Sequence, residues 1–264
     1  MSAPAALPVL VCLHGFLSRG RDWEALAAAL SGRFRCLTPD LPGHGRTPLL
    51  PGPQSYAAWT GWLAAWLNAR GLDRVALVGY SLGGRLALAF AAAFPQRVRA
   101  LALVSAHPGL TDPAARRARL AEDRARAEVI RTRGLVAFLE TWYRLPLFGI
   151  ATEARRQALI ARRSQQRSEA MAQVIAEMSP GRQPPLWDAL ARLPMPVAYI
   201  AGAADVKYAA LAETIAARAP RVRRLLVPQA AHMVHLDAPQ ALAAALLDCL
   251  PAAVGGDSRG AWVS

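Results

Sequence analysis

Residues 75–84 read Val-Ala-Leu-Val-Gly-Tyr-Ser-Leu-Gly-Gly, and this stretch decides the fold. A short apolar, β-branched run ends at Gly79, and an alanine- and leucine-rich pattern typical of a helix follows over Leu82–Phe94. Ser81 lies between them in a Gly-x-Ser-x-Gly frame, which predicts a strand, a tight turn with the serine at its apex, and a helix. Glycines flank the serine because side chains would collide where the strand and helix meet. Such a turn exposes the serine hydroxyl at the carboxyl edge of a sheet.

The rest of the chain alternates strands and helices around this unit. Five further apolar runs predict strands: Pro8–Leu13, Arg33–Thr38, Val98–Val104, Val197–Gly202 and Val222–Val227. Alternation of this kind is typical of βαβ units. We therefore predict an α/β protein with a mostly parallel, doubly wound sheet.

The strand pattern stops between residues 107 and 194. This segment is helical, amphipathic and rich in arginine, and Phe138, Leu139, Trp142 and Tyr143 give one helix an apolar face. We predict that it forms a helical cap, inserted after a core strand and lying over the edge where the serine is. The predicted divisions are the cap at 107–194, the α/β core at 1–106 and 195–254, and a disordered tail at 255–264.

The composition limits the possible partners. The 264-residue chain has a net charge of +13, and Lys207 is its only lysine, so the excess is almost entirely arginine. No nucleic-acid-binding motif accompanies this charge, which indicates a general attraction for anions. No run is long enough to span a membrane, and Met1–Pro8 lacks the features of a signal peptide. Cys12, Cys36 and Cys249 have no metal-ligand spacing, which predicts reduced thiols in a cytoplasmic protein without a metal site.

A serine at such an apex needs a base, and two histidines, His232 and His235, follow the last predicted strand. Asp205 comes just after the strand before it, in Ala-Gly-Ala-Ala-Asp. The chain order serine, aspartate, histidine is the one that α/β-hydrolase-fold proteins use. In a triad of this kind the imidazole takes the hydroxyl proton, and the carboxylate fixes the tautomer. Ser81, Asp205 and His232 form the predicted triad, with His235 as the rival base.

The loop after the first strand is predicted to supply the oxyanion hole. It reads His14-Gly15-Phe16, and the backbone N–H of Phe16 would join that of Leu82 as donors to a developing oxyanion. His14 is predicted to shape this loop. His44, in a loop dense in turn-forming residues, is predicted to be structural.

Several motifs occur together along the chain: Gly79-Tyr80-Ser81-Leu82-Gly83-Gly84-Arg85, His107-Pro108-Gly109-Leu110, Trp142-Tyr143 with Pro146 and Phe148, Arg163-Ser164, Gln183-Pro184, and Asp205 with Lys207 and Tyr208. Over nearly its whole length the chain resembles the α/β-hydrolase superfamily. Within that superfamily, the motif set resembles the 2-succinyl-6-hydroxy-2,4-cyclohexadiene-1-carboxylate synthases of menaquinone biosynthesis. Several of these motifs lie in the predicted cap, where hydrolase-fold proteins differ most.

The resemblance implies a reaction. It implies the elimination of pyruvate from an enolpyruvyl-succinyl-cyclohexene carboxylate, without a cofactor, with Ser81 as a general base activated by His232. It also favours His232 over His235, because Asp237 and Pro239 then fall where the family commonly carries an acid and a proline. The expected partner is a small anion with several carboxylates, bound by a monomer or a weak homo-oligomer with no nucleic-acid or membrane partner.

The resemblance also implies a substrate-binding set: Tyr80, Arg85, Arg119, Trp142 and Arg163. For Arg85 the spacing gives independent support, because it lies four residues after Ser81, one turn along the same helix. A tricarboxylate gains from paired guanidinium groups, whereas a neutral ester does not. Arg116 and Arg156, by contrast, are predicted to lie on solvated faces of the cap.

Some features depart from the family pattern. Ala230-Ala231 precede His232 where the family usually has glycine, and Met233-Val234 replace polar or small residues. The first predicted strand is not preceded by the strand pair common in this fold, which predicts either a shorter sheet or a misassigned start of the chain. Two alternatives stay open: a hydrolase of carboxylic esters or C–C bonds that works through an acyl-enzyme, and a non-catalytic ligand-binding protein.

Overall fold

A computed structural model describes residues 7–250 of the chain. The strands are β1 (Val9–Leu13), β2 (Arg35–Leu37), β3 (Val75–Tyr80), β4 (Val98–Val104), β5 (Val197–Gly202) and β6 (Val222–Val227). The helices are α1 (Glu24–Ala29), α2 (Tyr56–Asn68), α3 (Leu82–Ala93), α4 (Pro113–Trp142), α5 (Glu153–Arg163), α6 (Ser168–Glu177), α7 (Trp187–Arg192), α8 (Val206–Arg218), α9 (Val234–Asp237) and α10 (Pro239–Cys249). The tail predicted at 255–264 lies outside the described residues.

All six strands form one parallel sheet in the order β2-β1-β3-β4-β5-β6. Every residue of β3 and β5 is buried. Helices cover both faces of a sheet like this, so its central strands are continuously apolar rather than alternating. The predicted doubly wound α/β class is confirmed, and the order places β3, which ends at Ser81, beside β1 and β4.

The structure agrees with most of the predicted element boundaries. β4, β5 and β6 have the predicted limits, whereas β2 is shorter than Arg33–Thr38. After β1, a 3₁₀ turn over Gly20–Trp23 leads directly into α1. The Asp22 carboxylate accepts from the N–H of Arg19 and so closes this tight turn.

Four helices, α4 to α7, lie between β4 and β5 in the chain. The longest of them, α4, is interrupted at Gly134, which has a φ of 83° and a ψ of 163°. This helix packs against α6, and it carries Arg119 and Trp142 to the same cavity as Ser81. Among the described helices, none combines the length and apolar character needed to cross a membrane.

Candidate active site

Ser81 occupies the turn between β3 and α3. Its φ of 51° lies in the left-handed region, where a residue with a side chain is strained. A Cβ on Gly79 would collide with the backbone of Gly83, and a Cβ on Gly83 would collide with the backbone of Leu13. The two glycines are therefore needed for close backbone approach, and they let the helix start directly beside the sheet edge.

The imidazole of His232 connects Ser81 to Asp205. Nδ1 of His232 lies 2.7 Å from Oδ2 of Asp205, and Nε2 lies 3.3 Å from Oγ of Ser81. Because the aspartate carboxylate accepts, Nδ1 carries the proton and Nε2 accepts from the serine hydroxyl. The other carboxylate oxygen of Asp205 accepts from the N–H of Tyr208 at 3.2 Å, which fixes the carboxylate at the start of α8. This arrangement can take a proton through the serine hydroxyl.

Two buried histidines fix the loop that follows β1. Nδ1 of His14 donates to the carbonyl of Gly15 at 2.8 Å, and Nε2 accepts from the N–H of Leu41 at 2.9 Å. In the same way, Nε2 of His44 accepts from the N–H of Leu17 at 3.2 Å. The two rings meet edge to face, with centroids 4.9 Å apart. Both histidines therefore have structural contacts that hold the loop beside the serine.

The predicted oxyanion donors lie on either side of the serine. Phe16 belongs to the loop held by these histidines, and Leu82 is the first residue of α3. Both residues line a cavity together with Ser81. Their backbone N–H groups stay our prediction for the oxyanion hole, which needs donors fixed in advance.

The cavity beside Ser81 has a volume of about 200 Å³ and is lined by residues before β4, between β4 and β5, and after β5. Its aromatic residues are Phe16, Tyr80, Trp142, Tyr143, Phe148 and Tyr208, and its cationic residues are Arg119, Arg126 and Lys207. An adjoining cavity of about 60 Å³ is lined by Ser81, Arg85 and Arg119 among others. Within residues 7–250, no three or more histidine, cysteine or carboxylate side chains come together to form a metal site.

The structure brings Arg85 and Arg119 to this region. Arg85 is buried, and its Nη1 donates to the hydroxyl of Tyr56 and, at 2.9 Å, to the carbonyl of Met178. Nε of Arg119 donates to the carboxylate of Asp123 at 2.8 Å. Tyr80 and Trp142 also line the larger cavity, so four residues of the predicted substrate-binding set lie around the serine.

Arg163 is not placed as expected, since it is absent from the residues that line either cavity beside Ser81. Its guanidinium is buried, forms an ion pair with Asp22, and donates from Nε to the hydroxyl of Tyr143 at 3.3 Å. Burial opposes ionisation of Asp22, but Arg163 and Arg162 together lower the pKa of this carboxyl. The expectation that three arginines converge on the serine is corrected: a buried carboxylate needs a cation, and Arg163 supplies it.

The two arginines expected to be solvated are also placed differently. Arg116 donates to the carbonyls of Leu110 and Gln183, and Arg156 is mostly buried beside Glu153. Arg116 therefore joins two segments of the chain, whereas Arg156 pairs with a carboxylate of its own helix.

Sequence reasoning also missed two cations of the cavity wall, Arg126 and Lys207. Arg126 lies seven residues after Arg119 on α4, which is a spacing that places two side chains on one helix face. Lys207 is the only lysine of the chain and lies two residues after Asp205. Both signals were present in the sequence.

Ala231, which precedes His232, packs against the segment between β4 and β5. A Cβ on Gly149 would lie 2.7 Å from the Cβ of Ala231, so a side chain at 149 would collide with Ala231. The N–H of Ala231 donates to the carboxylate of Asp237 at 2.9 Å, and the N–H of His232 donates to the carbonyl of Leu147 at 3.1 Å. Asp237 thus anchors the loop that presents His232, and residues 147–149 of the cap segment support it.

The rival histidine, His235, is fully buried against Tyr80 and Trp23, with ring centroids 4.4 and 4.7 Å away. Within the described residues, neither of its ring nitrogens has a hydrogen-bond partner. Burial lowers its pKa to about 3, and burial likewise lowers the pKa of His14 to about 4.

These histidines predict a pH dependence of stability. An unfolded histidine has a pKa near 6.5, so below about pH 6.5 the unfolded chain binds protons that the folded protein does not. The free energy of unfolding should therefore be highest above that pH and fall on acidification. We expect a lower melting temperature at pH 5 than at pH 7, measured by circular dichroism. NMR titration should show His14 and His235 neutral at pH 5, and protonation of both rings in the folded protein would contradict this account.

Comparison with known proteins identifies the family. The sequence model described as the Alpha/beta hydrolase family matches residues 10–245. The chain belongs to the alpha/beta hydrolase family. This agrees with the parallel sheet and with the serine turn, and it confirms the predicted α/β-hydrolase fold.

Within the alpha/beta hydrolase family, the chain is similar to proteins named 2-succinyl-6-hydroxy-2,4-cyclohexadiene-1-carboxylate synthase. One from Serratia proteamaculans is 36% identical, covering 92% of this chain and 93% of that protein. One from Klebsiella pneumoniae is 35% identical, covering 92% and 94%. Among solved structures, MenH from S. aureus matches with a TM-score of 0.88 and 28% identity, covering 96% of this chain and 97% of that one. The resemblance found from the motifs is confirmed.

A thermophilic esterase from Thermogutta terrifontis, whose structure was solved with malate bound, has a TM-score of 0.80 to this chain and 25% identity, covering 95% and 91%. Members of the alpha/beta hydrolase family with different activities thus share this architecture. The fold alone does not distinguish these activities, which depend on the residues of the site.

Proposed function

We propose that this enzyme eliminates pyruvate from 2-succinyl-5-enolpyruvyl-6-hydroxy-3-cyclohexene-1-carboxylate and so forms 2-succinyl-6-hydroxy-2,4-cyclohexadiene-1-carboxylate, a step of menaquinone biosynthesis. The observation that carries the proposal is the pairing of a serine–histidine–aspartate hydrogen-bond chain with a cationic cavity. Arg119, Arg126 and Lys207 line the cavity that also holds Ser81 and His232. A substrate with several carboxylates fits that charge, and a neutral ester gains nothing from it.

The elimination needs one base and stabilisation of one negative charge. A base removes a ring C–H proton, the C–O bond to the enolpyruvyl group breaks, and its electron pair leaves with the oxygen. The released enolate then takes a proton at carbon and becomes pyruvate. In the proposed mechanism Ser81 takes the ring proton while its own proton passes to Nε2 of His232, and Asp205 stabilises the cation formed.

The charge that develops on the substrate needs nearby donors. The N–H groups of Phe16 and Leu82 are the proposed donors, and Arg85 and Arg119 are proposed to hold substrate carboxylates. Tyr80 and Trp142 are proposed to pack against the ring. Neither the proposed proton transfers nor the binding contacts call for a cofactor. A cytoplasmic location and a monomeric or weakly oligomeric state also remain predictions.

Pyruvate release from the purified protein tests the proposal directly. On adding the enolpyruvyl precursor, we expect stoichiometric pyruvate, followed with a coupled lactate dehydrogenase assay, together with the dienyl product in the ultraviolet spectrum. A protein that hydrolyses p-nitrophenyl esters but releases no pyruvate would support the hydrolase alternative.

The absence of a covalent intermediate distinguishes the two mechanisms. A general-base serine never becomes acylated, so intact-mass spectrometry of protein quenched during turnover should show only the unmodified mass. A trapped adduct on Ser81, with the mass of a substrate fragment, would assign the protein to the serine hydrolases instead.

A further inference from the structure

An acidic side chain lies on the wall of a cavity whose proposed ligand is an anion. Glu122 lines the cavity that holds Ser81. With Arg119, Asp123 and Arg126 it lies on one side of α4, because each of the two carboxylates is three or four residues from each arginine. The two arginines and the two carboxylates form one network, but the two carboxylates have very different environments.

The buried carboxylate of Asp123 pairs with both arginines. Its side chain is 0% exposed, and it accepts from Nε of Arg119 at 2.8 Å and from Nη1 of Arg126 at 2.8 Å. The hydroxyl of Ser179 donates to the same carboxylate at 2.7 Å. Separating a buried ion pair is strongly unfavourable, so Asp123 stays in place whether or not a ligand is bound.

Glu122 is held much less firmly. Its side chain is 53% exposed, it accepts from Nη2 of Arg126 at 2.5 Å, and it lies 3.8 Å from Nε of Arg119. Ion pairs that are open to water contribute little, because solvent screens them and side-chain entropy opposes them. The guanidinium of Arg126 lies over the ring of Trp142, 5.2 Å from its centroid, which keeps it on the cavity wall. Glu122 can therefore leave while Arg126 remains.

We propose that Glu122 is an internal counter-anion. In the free protein it pairs with the guanidinium of Arg126 beside Arg119, and a substrate carboxylate displaces it and binds there. This inference rests on the proposed function, because it assumes an anionic substrate. The apparent affinity for the substrate then equals its intrinsic affinity multiplied by the fraction of free protein in which Glu122 has already left Arg126. Ligands that cannot replace the lost ion pair are therefore disfavoured, and ligands with several carboxylates are selected.

Replacing Glu122 with glutamine tests the inference, because the amide keeps the size of the side chain but not its charge. The probe is succinate, titrated calorimetrically into the whole protein, so that the measurement does not depend on turnover. The free energy of an exposed ion pair corresponds to a factor of up to about five in a dissociation constant. Glu122→Gln should therefore lower the Kd for succinate about threefold to fivefold. KM for the enolpyruvyl substrate should fall by a similar factor, with kcat within about twofold of the wild type.

Two other variants complete the experiment. Asp123→Asn should act in the opposite direction and weaken succinate binding about tenfold, because both arginines lose the buried carboxylate that aims them. Glu169→Gln is the matched control, since Glu169 on α6 forms an exposed ion pair with Arg131 on α4 and does not line the cavity. Its succinate affinity should equal that of the wild type. Melting temperatures show whether each variant is folded.

The outcomes separate the inference from the proposed function. If Glu122→Gln binds succinate no more tightly than Glu169→Gln, the inference is wrong, whatever reaction the enzyme performs. If Glu122→Gln tightens succinate binding but the wild type releases no pyruvate from the precursor, the proposed reaction is wrong and the counter-anion role stands.

Discussion

Replacing Ser81 or His232 with alanine should lower kcat for pyruvate release by a factor on the order of a thousand or more. Each change removes one partner of the hydrogen bond in which Nε2 of His232 lies 3.3 Å from the serine oxygen. The two losses should not add, because the residues act as one unit. Asp205→Asn should cost a comparable factor, since an amide cannot hold the proton on Nδ1 of His232 in the same way.

His235→Ala is the comparison that tests the choice of base. His235 lies three residues after His232 and is fully buried against Tyr80 and Trp23. Its removal should therefore lower the melting temperature, while kcat should fall far less than in His232→Ala. Stopped-flow turnover and thermal unfolding, measured on the same preparations, separate these effects. A folded His235→Ala protein that had lost more activity than His232→Ala would show that the wrong histidine was assigned.

The turn that presents Ser81 could be predicted from ten residues because its determinants are local. An apolar run, two glycines that permit close backbone approach, and a helix-forming sequence fix strand, turn and helix without information from elsewhere. Asp205 and His232 could be placed because each follows a parallel strand, and the carboxyl ends of such strands share one edge. The parallel order of the sheet brings them together although His232 is 151 residues from Ser81.

The position of Arg163 could not be predicted in this way. Its ion-pair partner, Asp22, is 141 residues away, and nothing in the local sequence indicates that this carboxylate is buried. The prediction for Arg116 was wrong for the same reason, because its carbonyl acceptor at Gln183 is 67 residues away. In a segment so rich in arginine, the role of each cation depends on which carboxylate or carbonyl the tertiary structure brings to it.

The packing of Ala231 illustrates a compensation that is visible only in three dimensions. The missing side chain of Gly149, 82 positions earlier in the sequence, leaves the room that Ala231 takes. The contact with residues 147–149 explains how the loop still directs His232 towards Ser81.

The arginine variants separate the synthase from an esterase. Arg85→Ala and Arg119→Ala should each lower kcat/KM for the enolpyruvyl substrate about tenfold or more, because a charge-assisted hydrogen bond in a partly desolvated site contributes about 1.5–3 kcal/mol. Lysine at either position should restore only part of the loss, because it returns the charge without the planar fork. Hydrolysis of a small neutral ester, where detectable, should change little.

Two further arginines serve as controls for this series. Arg124 is exposed, lies next to Asp123 on α4 and does not line the cavity. Arg124→Ala therefore removes the same charge from α4 as Arg119→Ala but leaves the cavity wall unchanged. It should be nearly silent in kcat/KM. Arg163→Ala should lower the melting temperature, because among residues 7–250 it leaves the buried Asp22 with Arg162 as its single ion-pair partner.

Unfolding curves matter most for Arg85→Ala, which also leaves the Tyr56 hydroxyl and the Met178 carbonyl without their guanidinium donor. A loss of kcat/KM in a protein that remains folded at the assay temperature can then be assigned to substrate binding. If Arg119→Ala and Arg124→Ala had equal effects, the charge of the cap would act only as a diffuse field, and the proposed binding of a multiply charged acid would lose its physical support.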